Sequence, residues 1–286
     1  MLPRKCVSVV VVTYNSEATI ANCISSVFDT SADWIELFVI VDNASSDRTG
    51  DAIRRSSYPV TTIENKVNQG FGRACNSGAD EGGSEFILLL NPDARVDRDT
   101  IKNLVTFLDA REAAACCGPL IRNEKGTPDP ACRRGFPTPM NALGRLFYLE
   151  KFFTRSKSIA GYSLPWLGFG REARVDCISG ACILIRREDY QRIAGFDEQF
   201  FLFGEDVDLC KRVALLERET WFVPSARITH IGGHSMRQVK ETANYEFYRA
   251  MRIYMSKHWQ HLPRITYKTI DMGIGFRAWL EKFIGH

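Results

Sequence analysis

Residues 200–212 read FFLFGEDVDLCKR, so an aromatic run delivers Glu205, Asp206 and Asp208 into what reads as the first turn of a helix. On a 3.6-residue period Asp206 shares a face with Leu209, Val213 and Leu216, which aims its carboxylate at the apolar side, while Glu205 and Asp208 turn outward. A half-buried carboxylate is a candidate general base, with Glu205 beside it in support and Asp208 a solvated helix-start acid. Acids in a first turn also complement the helix dipole with no further role. These three residues alone leave both readings open.

A second acid lies mid-chain, where Asn91-Pro92-Asp93 follows Leu88-Leu89-Leu90 and so stands at a sheet edge. That placement suits a divalent cation such as Mg or Mn, which prefers carboxylate oxygens and is often completed by substrate phosphates. His230, in a THIGGHS stretch, is the candidate second ligand, and His234 in the same loop is the weaker choice. Each signal has an ordinary explanation: Asn-Pro-Asp is good turn chemistry wherever a strand stops, and a loop histidine is commonly structural. Their joint order along the chain is much harder to obtain by accident.

The elements that must position these residues are legible in the first 120 residues, which alternate β-type runs with amphipathic segments as βαβ units do. Strands are expected at Val7–Val12, Ile35–Val41, Val60–Ile63 and Phe86–Leu90, and helices at Ser16–Phe28, Ser46–Arg55, Phe71–Glu81 and Arg98–Ala110. Ser16 and Ser46 or Asp47 are the expected N-caps. Ligands of open α/β sheets bind beyond the carboxyl ends of the strands, where polar residues gather here: Thr13-Tyr14-Asn15, Asp42-Asn43, Asn65, Asn68 and Asn91-Pro92-Asp93. From Gly118 to about Arg174 the pattern weakens into a Pro- and Gly-rich excursion. Regularity returns with a buried strand at Cys177–Arg186, a short helix at Glu188–Ile193, strands at Thr220–Val223 and Arg227–Thr229, and a helix at Tyr245–His258.

At 286 residues the chain can bury a full core. A net charge of +3 with 25% charged residues gives no basis for a nucleic-acid partner. No stretch approaches the roughly 20 apolar residues of a membrane span and no signal-peptide core is present, so a cytoplasmic location is expected. The nine cysteines are odd in number and form no CxxC pair, which reads as reduced and structural.

The motifs VVVVTYN (9–15), VDNASSD (41–47), NQGFGRACNSG (68–78), LLLNPDA (88–94), ISGACILIRR (178–187), GFDEQFFLFGEDVDLCKR (195–212) and HIGGHS (230–235) together resemble glycosyltransferase family 2, over roughly residues 7–260, and in particular its rhamnosyltransferase-like branch. The resemblance implies an α/β fold of GT-A type: a Rossmann-like nucleotide-binding half-sheet (1–120) continuous with an acceptor-binding, catalytic half (121–240), plus C-terminal helices (241–286). It implies an inverting transfer from a UDP- or dTDP-sugar to a saccharide or lipid-linked saccharide, with a divalent metal, Mn or Mg. By position, Thr13, Asn15 and Asp42 would hold the nucleotide, Asn68, Gly70, Asn76 and Asn91 would line the same pocket, and Arg73 would approach the phosphates. Asp93 would be the metal-binding acid, Asp206 the base and His230 the late metal ligand. One departure is plain: the family's DxD reads Asn91-Pro92-Asp93 here, which removes a charge at the metal.

On the acceptor side, the small Gly180 and Ala181 would let backbone approach the donor sugar, and Trp166 or Phe169 would stack on a sugar or serve as core or lid aromatics. Arg133 and Arg134 read either as contacts for an acceptor diphosphate or as solvated arginines. The aromatic and basic mixture over 264–284 would suit peripheral membrane contact as well as packing on the catalytic domain. Two other functions compete. A nucleotidyltransferase would carry a Gly-rich, basic phosphate loop after the first strand, where TYNSE stands; a non-catalytic sugar-nucleotide-binding module would have no use for Asp93, Asp206 and His230 together.

Overall fold

The computed structural model describes residues 4–146, 148–231 and 240–284. One nine-stranded sheet runs through it. Its strands are β1 (Val7–Thr13), β2 (Ile35–Asp42), β3 (Thr61–Glu64), β4 (Phe86–Leu90), β5 (Ala94–Val96), β6 (Ala114–Arg122), β7 (Ala173–Val175), β8 (Cys182–Arg186) and β9 (Glu219–His230). The helices are α1 (Ile20–Ser31), α2 (Thr49–Arg54), α3 (Phe71–Asp80), α4 (Thr100–Asp109), α5 (Pro139–Leu146), α6 (Lys157–Ala160), α7 (Arg187–Arg192), α8 (Glu205–Leu215), α9 (Lys240–His258) and α10 (Arg264–Ile284).

Spatial order is β3-β2-β1-β4-β8-β6-β9-β5, with β7 also on β9. β1 to β4 pair in parallel. Every residue of β1 and β4 is buried, as continuous apolar runs covered on both faces require. β8 then inserts antiparallel between β4 and β6. β9 runs parallel to β6 on one side and antiparallel to β7 and β5 on the other.

Several elements differ from the sequence reading. α1 starts at Ile20, because Ser16 offers its carbonyl to Thr19 N and Ile20 N instead of capping with its hydroxyl. α2 starts at Thr49, whose N–H is received by Asp47 Oδ1 at 3.0 Å. Residues 177–181 are not strand: Cys177 pairs with Arg134 across an isolated bridge, and β8 begins at Cys182. The two short strands expected at 220–229 are one strand, β9, whose register against β6 jumps between Pro119 and Leu120, where Pro224 interrupts the ladder. All nine cysteines are free and buried, as reduced structural thiols should be. The excursion is tied down by Arg134 N to Cys177 O (2.8 Å) and Gly135 N to Tyr162 O (2.9 Å).

α9, α10 and the turn between them send Tyr248, Tyr254, Met255, Trp259, Ile270 and Ile274 into the same apolar cluster as the sheet. Among the described residues no helix is long and apolar enough to cross a membrane.

Candidate active site

Thr13 and Asp42 end neighbouring strands in register, and Thr13 Oγ1 donates to Asp42 Oδ1 at 2.9 Å. The same carboxylate receives the Ser45 hydroxyl, and its other oxygen receives Ser45 N at 3.3 Å. Asn15, held at φ 50°, accepts from Ser46 N at 2.8 Å. These side chains thus shape the 43–47 loop into one wall of the sheet edge.

Asn43, buried and named in the sequence reading only as a strand-end polar residue without a role, organises the next wall. Its amide donates to Asn68 Oδ1 (2.9 Å) and Gly70 O (3.1 Å) and accepts from Asn65 Nδ2 (3.0 Å) and Gln69 N (3.1 Å). Gly70 sits at φ 87°, and a β-carbon there would lie 2.7 Å from Phe201 O, so only glycine fits. Phe71 N donates to that same carbonyl at 3.0 Å. The polar loop after β3 therefore braces the aromatic loop that leads to Asp206. Asn76 is spent on structure, accepting from Phe196 N (2.8 Å) and Tyr190 Oη (2.6 Å). Arg73 pairs with Glu198 at 2.8 Å on the surface.

The pairing of β5 with β9 sets Ala94 opposite His230, which brings His230 Nε2 to 2.9 Å from Asp93 Oδ1. Asn91 Nδ2 lies 3.3 Å from the same ring nitrogen, and Asn91 N donates to Ala181 O at 3.0 Å. Burial works against a charge on His230, but the Asp93 carboxylate outweighs it and raises the imidazole pKa above its ordinary value. No group of three or more His, Cys, Asp or Glu gathers among the described residues. Asp93 and His230 nevertheless fit a divalent cation: a separation of 2.9 Å is what two adjacent ligands with bonds of roughly 2.1 Å span. Two protein donors leave room for substrate phosphates. His234 lies outside the described residues.

Asp206 stands at the start of α8, after Phe203 and Gly204, both left-handed at φ 67° and 77°. A phenylalanine held there is strained, which marks the approach to α8 as an imposed conformation. Asp206 Oδ2 accepts from Arg134 Nη2 at 2.6 Å and from Gly180 N at 3.0 Å, and Oδ1 accepts from Val207 N at 2.8 Å. Arg134 also donates to Ile178 O at 2.8 Å and to Tyr162 Oη at 3.2 Å. The carboxylate is thus clamped beside the Gly180-Ala181 backbone, where a β-carbon on Gly180 would lie in ordinary contact with Asp206 Cβ, at 3.4 Å. Sequence reasoning left Arg134 as a solvated or diphosphate-contacting arginine and missed this clamp, and nothing local announces a partner so far along the chain.

The expected orientation of the other two acids is overturned. Glu205 does not turn outward: it is buried, its Oε2 has no hydrogen-bond partner among the described residues, and burial, followed by the neighbouring Asp206 charge, raises its pKa to about 8. Asp208 is not solvated either but completely buried. It meets Arg212 Nε at 2.7 Å, Lys257 Nζ at 2.6 Å and His258 Nε2 at 2.8 Å. Burial alone would raise its pKa, and these three partners outweigh it and hold the carboxyl at about 2. α8 is packed on both flanks, so a single apolar face does not describe it, and the acid open to the site is Asp206.

A cavity of about 520 Å³ opens beside Asp206 and Glu205, bounded by Arg134 and Tyr162 on one side and by α9 and α10 on the other. Trp166 does not line it and is exposed. Arg133 is buried, its guanidinium 4.2 Å from the Phe169 ring centre, so both are structural.

Known proteins resemble this chain in sequence and fold. A family model described as glycosyl transferase family 2 matches residues 8–193, and one described as the N-terminal domain of galactosyltransferase matches residues 168–235. The chain is 28% identical over 215 residues to an N-acetylglucosaminyl-diphospho-decaprenol L-rhamnosyltransferase of Mycobacterium tuberculosis, covering 69% of this chain and 67% of that one. It is 25% identical over 180 residues to rhamnosyltransferase WbbL of Escherichia coli, covering 63% and 62%. Among solved structures, GalNAc-T7 with UDP, GalNAc and Mn2+ has a TM-score of 0.62 at 17% identity, over 98% of this chain and 56% of that one. TarS 1-349 of S. aureus with UDP-GlcNAc has a TM-score of 0.61 at 19% identity, over 96% and 72%. These structural likenesses carry the GT-A type α/β fold. Since the family match spans more than half of the chain and runs through the strand-end polar residues, Asp93 and Gly180 to the end of α7, the chain belongs to glycosyl transferase family 2.

Proposed function

We propose that the protein is an inverting glycosyltransferase that moves a sugar, with rhamnose the leading candidate, from a UDP- or dTDP-sugar to a hydroxyl of a saccharide or lipid-linked saccharide in cell-surface polysaccharide synthesis. The observation that carries this reading is the Asp206 carboxylate, clamped by Arg134 and Gly180 N–H where it lines a cavity, with the next residue, Ala181, bonded through its carbonyl to Asn91 beside the Asp93–His230 pair.

In this reading the nucleotide lies along the strand ends, against Thr13, Asn15, Asp42, Asn68, Gly70 and Asn91. Asp93 and His230 would hold Mn or Mg, which when bound supplies positive charge to the departing diphosphate. Asp206 takes the proton of the acceptor hydroxyl as that oxygen forms its bond to the anomeric carbon. The bond to the diphosphate breaks on the opposite face and configuration inverts. A positioned base is worth roughly 10²–10⁴ in rate, and Arg134 keeps this one from rotating out of line. Glu205, carrying its proton near neutrality, adds no second negative charge beside the base.

Peripheral membrane contact fits α10, which exposes Ile265, Met272, Phe276 and Trp279. An apolar stripe on a helix with basic neighbours lies in a bilayer interface. Sedimentation with anionic liposomes should then be lost in a chain cut after His261.

The deciding experiment pairs thermal-shift screening against UDP- and dTDP-sugars, with Mn2+ or Mg2+, with turnover of Asp206→Asn. The variant should keep the donor shift and lose 10²-fold or more in kcat. Near-normal turnover would remove Asp206 from its role.

A further inference from the structure

Asp206 shares the first turn of α8 with a second acid, Asp208, that the proposed transfer does not use. At 3.6 residues per turn the two lie about 200° apart, so they leave the helix on nearly opposite sides. Asp206 meets Arg134 Nη2 at 2.6 Å and Gly180 N at 3.0 Å. Asp208, completely buried, meets Lys257 Nζ at 2.6 Å and His258 Nε2 at 2.8 Å, both from the last turn of α9. α8 has little hold on this end of itself, because its N-cap is Gly204, at φ 77°, which offers no side chain to the first-turn amides.

The contacts of Asp208 reach further than the two helices. Lys257 bridges Asp208 and Asp197, and Arg212, whose Nε lies 2.7 Å from Asp208 Oδ2, donates to Ile193 O (2.5 Å) and Gly195 O (2.6 Å). The same 193–198 loop is bound to α3, on the proposed nucleotide side: Asn76 accepts from Phe196 N at 2.8 Å and donates to Phe196 O at 3.0 Å, and Arg73 pairs with Glu198. His258 is backed by the buried Tyr254, whose ring centre lies 4.6 Å from that of the imidazole. Asp208 is therefore a joint at which α8, α9 and a loop fastened to α3 meet. A buried ion cluster is a poor way to gain stability, since apolar side chains of similar volume often do as well, and its best-attested use is to fix one register. Rotating α8 by roughly 10° would carry the Asp206 carboxyl, about 6 Å from the helix axis, through about 1 Å. Misplacement on that scale costs about 10²-fold in rate.

We propose that Lys257 and His258 are positioning residues for the transfer: acting through Asp208, they set the rotation of α8 and so the place of the Asp206 carboxylate relative to the donor. This rests on the reading of Asp206 as the base and deepens it, since α9 then takes part in the geometry of the reaction and does more than cover the sheet.

Asp208→Asn combined with Lys257→Met removes one charge of each sign at nearly constant volume and leaves Arg212 and Asp197 to balance each other. His258→Leu removes the other contact, whereas His258→Gln keeps an amide donor where Nε2 stands. The full chain of each variant would be followed by urea unfolding, by the thermal shift with the UDP- or dTDP-sugar that stabilises the wild type most, and by hydrolysis of that donor, in which water stands in for the acceptor hydroxyl. The double variant and His258→Leu should lose about tenfold or more in hydrolysis kcat with donor KM unchanged, and His258→Gln should recover most of that loss. Amide exchange over residues 203–209 should quicken by about tenfold in the two slowed variants while that of β4 stays as it was, a local effect that a role confined to global stability does not produce. Wild-type kcat in the folded double variant and in His258→Leu, whatever their unfolding stability, would overturn the proposal, as would equal slowing by leucine and glutamine at 258. Should the double variant fail to fold, the two His258 variants still decide it. Asp206→Asn measured alongside separates the two readings: if it slows hydrolysis and the α9 variants do not, only the positioning role falls, whereas hydrolysis indifferent to Asp206→Asn removes the base and this role with it.

Discussion

Glu205→Gln should make the protein more resistant to alkaline conditions. Glu205 is buried next to Asp206, its Oε2 without a partner among the described residues, and its carboxyl holds its proton up to about 8, against an ordinary 4.5. In the unfolded chain the same group ionises near its ordinary value, so between pH 4.5 and 8 the unfolded state binds fewer protons than the folded one. Stability contributed by the neutral form is fully present below pH 4.5 and declines as pH rises through that window. At about 1.4 kcal/mol for each tenfold change in proton affinity, the loss by pH 8 is on the order of 4 kcal/mol. Glutamine is neutral throughout and nearly isosteric, so it removes this loss while keeping the packing. Urea unfolding at pH 5, 6, 7, 8 and 9 should give two curves that nearly coincide at pH 5 and diverge in favour of Glu205→Gln above it. Parallel curves, or a wild type that gains relative stability as pH rises, would refute the reasoning: Glu205 would then ionise in the folded protein as readily as in the unfolded one.

Three further outcomes follow from the same contacts. Asp208→Ala leaves Arg212, Lys257 and His258 facing an empty position and should cost about 3–5 kcal/mol in urea unfolding, as removal of one partner from a buried ion cluster does. A cost under 1 kcal/mol would mean that α9 does not depend on this cluster. Arg134→Lys keeps the charge but cannot reach Asp206, Ile178 O and Tyr162 together, so kcat should fall ten- to a hundredfold while the donor thermal shift is unchanged; loss of the donor shift would place Arg134 in a different role. His230→Ala should weaken Mn2+ binding, read by metal-dependent thermal shift with UDP or dTDP present, by at least tenfold, and unaltered affinity would exclude His230 as a ligand.

β1 and β4 were legible because a parallel strand buried on both faces is a nearly continuous apolar run, as VSVVVVT and FILLL are. The strand-end positions of Asp93, just after LLL, and of His230, at the end of β9, were legible too. Arg134 was not, because its environment is made by residues remote in sequence, and a Pro-rich stretch carries no periodicity to show which arginine turns inward. Asp208 misled for the same reason. A helical wheel reports one apolar face, whereas α8 meets a second element, α9, whose Lys257 and His258 make a buried acid tolerable. Asn43 sat in view between Asp42 and the helix, but its four hydrogen bonds depend on loop geometry that no spacing encodes.

The placement of β8 also constrains the order in which the molecule can be made. β4 is flanked by β1 and β8, and β6 reaches the rest of the sheet only through β8 and β9. While the chain is being synthesised, residues 7–90 can assemble four parallel strands, yet the outer edge of β4 stays open until residue 186 has emerged. Until then FILLL presents unpaired backbone along an apolar strand, the sort of edge that recruits other chains. The same insertion that sets Gly180 beside Asp206 therefore leaves this edge uncovered until about two thirds of the chain has been made.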